Sequence, residues 1–149
     1  MIDYIQLFKD RHLFNQCTNE IELNTLLNKK KIIFYIGFDA TADALHVGSL
    51  VQLRAIKTLI KHGHQAIVLL GGGTTKVGDP SGKDTARQIL SYDNIQKNID
   101  NFKRIFEHYF RDFKENITFI NNDQWLDKLN YIELLRDVGS HVSINRMLT

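Results

Sequence analysis

The chain has 149 residues, 43% hydrophobic and 24% charged, with a formal net charge of +2. That size suits one domain with a usable core, and the near-neutral total does not mark a nucleic-acid binder, although a local basic patch is compatible with it. The single Cys17 excludes an internal disulfide and a multi-cysteine zinc site, no apolar run approaches the roughly 20 residues that span a bilayer, and the acid-bearing N-terminus is unlike a signal peptide, so a cytoplasmic protein without membrane attachment is expected.

Residues 3–16 place Ile5, Leu7, Phe8 and Leu13 at helical spacing, with Asp3 as an N-terminal charge. Thr18 to Leu27 repeats the pattern, and Glu20 and Glu22 lie in its first turn, where the helix dipole favours acids. The Lys29-Lys30-Lys31 run reads as a solvated helix end rather than a phosphate contact. Ile32 to Phe38 is a continuous apolar run, expected as a strand covered on both faces. A helix is predicted from about His46 to Lys61, with an apolar side from Val47 to Ile60 and a polar face of Arg54, Lys57, Thr58 and Lys61. Gly63 supplies its left-handed stop, and Gln65 to Leu70 is a second buried strand. Strand, helix and strand in about 40 residues make a right-handed crossover, hence an α/β fold with a parallel sheet.

Ser91 to Tyr109 is the clearest amphipathic helix, with Ile95, Ile99, Phe102, Ile105, Phe106 and Tyr109 on one face. An aromatic stripe of this kind reads as core. Ile117 to Ile120 is a third short strand, and Tyr131 to Val138 a helix ending at Gly139. No repeat or linker divides the chain.

Ligands of such sheets bind beyond the carboxyl ends of the strands. The loops at that edge are Gly37 to Leu45 and Gly71 to Asp84. The first leads into His46-Val47-Gly48-Ser49, a helix start that suits phosphate. His46 and Ser49 share a face there, Gly48 leaves room for a flat ligand, and Thr41 adds a hydroxyl. An ordinary cap with an incidental histidine is the plainer reading, but the preceding strand and the loop with Gly37 and Asp39 favour a ligand site. The second loop, GGGTTKVGDPSGKD, fails the P-loop pattern: only three residues separate Gly78 from Gly82-Lys83, and Asp84 follows. It also fails the dinucleotide pattern, because Lys76 stands where a glycine is required. What remains is backbone able to approach a ligand, with Thr74 and Asp79 as polar groups for a substrate ammonium; a turn aspartate before Pro80 is the alternative. Tyr35 alternates away from Phe34 and Ile36, and on composition alone reads as a core tyrosine. His62 and His64 flank Gly63 and read as surface residues, and no histidine or carboxylate set has metal-ligand spacing.

The string from Tyr35-Ile36-Gly37-Phe38-Asp39-Ala40-Thr41 through His46-Val47-Gly48-Ser49-Leu50 closely resembles the nucleotide-binding signature of class I aminoacyl-tRNA synthetases. The glycine-rich segment through Gly78-Asp79-Pro80-Ser81-Gly82-Lys83 narrows the resemblance to bacterial-type tyrosyl-tRNA synthetases, and the Trp125 region and Leu135-Arg136-Asp137-Val138-Gly139 look similar. The resemblance implies an incomplete Rossmann-like catalytic domain, with N-terminal helices in residues 1–30 and the Rossmann-like part in 31–149. It implies activation of L-tyrosine by ATP, with Mg2+ accompanying the ATP and no protein-bound metal, then transfer to tRNA(Tyr) by a homodimer. Thr41 and His46 would hold the γ-phosphate in the transition state. Gly37, Asp39, Gly48, Ser49 and Gln52 would face the adenosine. Tyr35 would bond the substrate hydroxyl, and Thr74 and Asp79 would receive its amino end.

Two departures stand out: Ser49 replaces a histidine, which shortens its ribose contact, and Ala40 replaces a proline, which is expected to loosen the loop. The family's later tyrosine contacts, lysine-rich loop and tRNA-binding domain have no counterpart, so the chain reads as roughly the first third of the enzyme, with little or no turnover alone. Another nucleotidyl transferase with an H-x-G-x helix start leaves Tyr35, Thr74 and Asp79 unexplained. A catalytically silent synthetase-like binding module is the reading outside enzymes.

Overall fold

The computed structural model describes residues 1–77 and 90–143. Three parallel strands, β1 (Ile33–Asp39), β2 (Gln65–Gly71) and β3 (Ile117–Asn121), pair in the order β1-β2-β3. Tyr35 lies opposite Ile67, Gly37 opposite Leu69, and Val68 opposite Phe119. Helices α1 (Tyr4–Asp10) and α2 (Glu20–Lys29) precede the sheet, and α3 (Ser49–Ile60) links β1 to β2. Between β2 and β3 come α4 (Gly72–Val77), α5 (Tyr92–Tyr109) and a 3-10 turn; α6 (Asp123–Leu126) and α7 (Tyr131–Asp137) follow β3.

A strand order that advances in one direction, joined by right-handed crossovers, puts its connecting helices on one face. The core has that form. Phe38, Ala66, Val68 and Leu70 of the sheet pack with Leu53, Ile56 and Ile60 of α3 and with Ile95, Ile99, Phe102 and Phe106 of α5. The other face of β1 carries Ile33, Tyr35, Gly37 and Asp39, all exposed. The expectation that β1 is covered on both faces is therefore corrected: it is an edge strand with one open face. Tyr35, expected in the core, is 71% exposed on that face.

Helix ends also shift from their predicted places. Asp3 caps α1 by accepting the Gln6 N–H at 3.0 Å, but the helix ends at Asp10, short of the expected residue 16. His12, at φ 54°, takes the left-handed turn that stops it. Asn19 caps α2, which starts at Glu20 rather than at Thr18, and Ser91 caps α5 as expected. Gly63, at φ 83°, turns the chain into β2. Lys31 donates to the His62 carbonyl there, so one residue of the lysine run closes the far end of α3.

His64 is fully buried, which corrects its reading as a surface residue. The turn at Gly63 feeds it beneath α1, where the buried Tyr4 ring stands edge-on at 5.6 Å. Its Nδ1 accepts the Ile32 N–H at 3.3 Å, while Nε2 has no partner among the described residues. Burial first, then Lys31 and His62, push its pKa below the ordinary histidine value.

Candidate active site

The open end of β1 and the turn that follows it form a cleft of about 210 Å³. Gly37, Asp39, Thr41, His46, Ser49 and Gln52 line it, with Phe102 of α5 at one wall. Of the residues singled out in the sequence for nucleotide contact and catalysis, the structure brings together all but Gly48. Whole small-molecule sites run from about 300 to 1,000 Å³, so this volume suits part of a nucleotide.

The turn into α3 is built by its own histidine. α3 begins at Ser49, three residues later than predicted, because His46 to Gly48 form a preceding turn in which the Ser49 N–H donates to the His46 carbonyl at 3.0 Å. His46 Nδ1 accepts the Gly48 N–H at 3.0 Å. A neutral imidazole that accepts at Nδ1 carries its proton on Nε2, a donor for an anion in the cleft. The same ring lies 2.8 Å from where a Cβ on Gly48 would stand. On that side of Gly48 the neighbour is thus the histidine of its own turn.

The loop after β1 is pinned, not loosened. The Ala40 N–H donates to Thr75 Oγ1 at 2.9 Å, a bond that proline could not make, and its carbonyl accepts from Asn98 Nδ2 at 2.8 Å. Asn101 also donates to the Asp43 carbonyl, at 3.2 Å. Asn98 and Thr75 are both buried, and the sequence reading missed them. Asn98 had left a signal. It sits three after Ile95 and four before Phe102, a polar residue on a core-facing stripe.

The second loop is partly helical, since α4 occupies Gly72–Val77. Its described glycines pack closely against the chain: a Cβ would meet the Asp39 side chain at Gly71, the Asn121 side chain at Gly72 and Leu126 at Gly73. Asn121 accepts the Gly72 N–H at 3.0 Å and Asn122 accepts the Gly73 N–H at 2.7 Å, so two side chains from the end of β3 take the first amides of α4. Thr74 donates to Asp39 Oδ1 at 2.7 Å and accepts from Asn122 Nδ2 at 3.1 Å. That chain of bonds ties the second loop to the cleft carboxylate. Asp79 lies outside the described residues.

Gly37 differs from the other described glycines of the site. Among the described residues, nothing lies within 4 Å of where its Cβ would be. A glycine inside a strand costs stability, and no neighbour here requires it. It lies between Tyr35 and Asp39 on the same open face.

The family model for tRNA synthetases class I (W and Y) matches residues 27–149. The chain belongs to this family. The tyrosine–tRNA ligase of Pelagibacter ubique (strain HTCC1062) is 55% identical over all of this chain, which spans 37% of that relative. That of Rickettsia bellii (strain RML369-C) is 45% identical over 98% of the chain and 36% of the relative. Among solved structures, a C-terminally truncated mitochondrial tyrosyl-tRNA synthetase of Coccidioides posadasii superposes with a TM-score of 0.78 at 28% identity, covering 98% of this chain and 42% of that one. The chain therefore spans little more than a third of the length of the curated relatives it matches.

Proposed function

We propose that this chain carries the strand edge at which a tyrosine–tRNA ligase binds ATP and L-tyrosine. In that reaction a tyrosine carboxylate oxygen attacks the α-phosphorus of ATP and pyrophosphate leaves. The acyl group of the tyrosyl-adenylate then passes to a hydroxyl of tRNA, releasing AMP. The observation that carries the reading is the open space at Gly37, flanked on one face by Tyr35 and Asp39. A missing side chain that the chain itself does not need leaves backbone for a ligand to touch.

On this reading Gly37, Asp39, Gly48, Ser49 and Gln52 meet the adenosine. Thr41 and the Nε2–H of His46 hold phosphate oxygens, more tightly as charge develops on the leaving pyrophosphate; that is differential binding. The Tyr35 hydroxyl meets the substrate hydroxyl, while Thr74, oriented by Asp39, receives the substrate ammonium together with Asp79. Mg2+ enters with ATP as part of the substrate. The whole protein works on tRNA(Tyr) as a homodimer in the cytoplasm. The exposed apolar residues of α7, Tyr131, Ile132, Leu134 and Leu135, support the dimer as a surface that a second copy would cover.

Calorimetric titration with ATP and Mg2+ tests the phosphate contacts. His46→Ala and Thr41→Ala should each weaken ATP at least tenfold while far-UV circular dichroism stays unchanged. Equal affinity in both variants would overturn the assignment.

A further inference from the structure

Between Phe38 and Leu45, Ala40 is the one buried residue; its neighbours Asp39 and Thr41 are exposed and line the cleft. Ala40 is held at three points. Its side chain joins the core, its N–H donates to Thr75 Oγ1 at 2.9 Å, and its carbonyl accepts from Asn98 Nδ2 at 2.8 Å. Both partners are buried and come from later elements, Thr75 from α4 and Asn98 from α5. Asn98 does not line the cleft itself, whereas Phe102, one turn further along α5, does.

The two bonds fix the two peptide planes that flank Ala40, because each peptide group is rigid and planar. The second plane runs into Thr41. Beyond it the Thr41 hydroxyl keeps only its φ and a χ1 that β-branching stiffens, so Asn98 sets where that hydroxyl stands in the cleft. A buried carbonyl needs a donor whatever its neighbours do. What goes further here is the place: the bonded carbonyl belongs to the peptide that presents Thr41. A second asparagine of α5 makes the contrast. Asn101 donates to the carbonyl of the exposed Asp43 at 3.2 Å, two residues past Thr41, and Asp43 does not line the cleft.

We propose that Asn98 is a positioning residue for nucleotide phosphate, acting through the Ala40 carbonyl on the Thr41 hydroxyl. The proposal rests on the reading of Thr41 as a phosphate contact. A hydroxyl already in place binds a phosphate oxygen more tightly than one the ligand must order. A helix of the core thus takes part in the preference for ATP over ligands without a phosphate chain.

Titration of the isotope-labelled 149-residue chain with ATP and Mg2+, and separately with adenosine, followed by amide chemical shifts, tests the proposal. The quantity read is the ratio of the two affinities. A variant that only lowers the folded, binding-competent fraction weakens both ligands by the same factor and leaves the ratio unchanged. Asn98→Leu, which removes the donor and keeps much of the volume, should lower the ratio at least about fivefold, as for one lost hydrogen bond. Added to Thr41→Ala it should lower the ratio no further than Thr41→Ala alone, because the two changes act on one contact. Asn101→Leu should leave the ratio unchanged. If Asn98→Leu does not fold, Thr75→Val releases Ala40 from its other side and should lower the ratio likewise. An unchanged ratio in the folded Asn98 or Thr75 variant, additive losses in the double variant, or an equal loss in Asn101→Leu overturns the proposal, while ATP binding by the parent chain leaves the proposed function standing. A parent chain that binds ATP no better than adenosine has no phosphate contact to position, and both readings fall.

Discussion

The two faces of β1 are made by alternate residues of one strand, and they have opposite characters. Phe34, Ile36 and Phe38 turn towards α3 and α5 and join the core. Ile33, Tyr35, Gly37 and Asp39 turn the other way and stay exposed. Successive side chains of a strand point to opposite faces, so one heptapeptide carries a packing residue and a candidate ligand residue in alternation. The difference teaches where to look for each property: stability is concentrated on the even-numbered positions and recognition on the odd ones.

Substitutions can break that division in a graded way. Phe106→Ala, at a fully buried ring touching Phe38 and Phe119, should cost about 3–5 kcal/mol in urea unfolding. Asn98→Ala leaves the buried Ala40 carbonyl without its donor and should cost about 1–3 kcal/mol, with the loop beside the cleft affected as well as the core. His64 gives the core face a pH dependence. Its pKa is lowered in the folded chain, so below the ordinary value near 6.5 the unfolded state binds the proton more readily. Stability should be full above about pH 6.5 and fall as the pH drops from there towards the lowered folded value. Urea midpoints at mildly alkaline and mildly acidic pH would show this, with a smaller fall in His64→Gln. The smallest effect on stability belongs to the open face. Gly37→Ala meets no neighbour and should leave stability equal or raised by up to about 1 kcal/mol, yet weaken ATP binding. A variant that melts early and binds normally would reverse the comparison.

The crossover was legible because its signals are local: two continuous apolar runs, an amphipathic segment between them and Gly63 to turn the chain. The stripe on α5 was legible for the same reason. The open face of β1 was not, since an apolar run does not say whether one helix layer or two will cover it. The direction of strand order decided that. The early end of α1 turned on the left-handed conformation of His12, which its side chain does not advertise. His64 looked like a surface residue because a histidine beside a helix-stopping glycine has no periodic neighbour to place it under Tyr4. At the site, the residues around Gly37 and His46 could be named from the chain. What Gly72 and Gly73 of the second loop pack against was not legible, because Asn121 and Asn122 reach them from about 50 residues away.

The most direct test of the account is calorimetric titration of the chain with L-tyrosine, with phenylalanine alongside and Tyr35→Phe as the paired variant. The account predicts tyrosine binding at least tenfold tighter than phenylalanine, loss of that preference in Tyr35→Phe, and unfolding free energies that differ by no more than about 0.5 kcal/mol between the two chains. A preference for tyrosine that survives Tyr35→Phe, or a folded chain that binds neither amino acid, would contradict it.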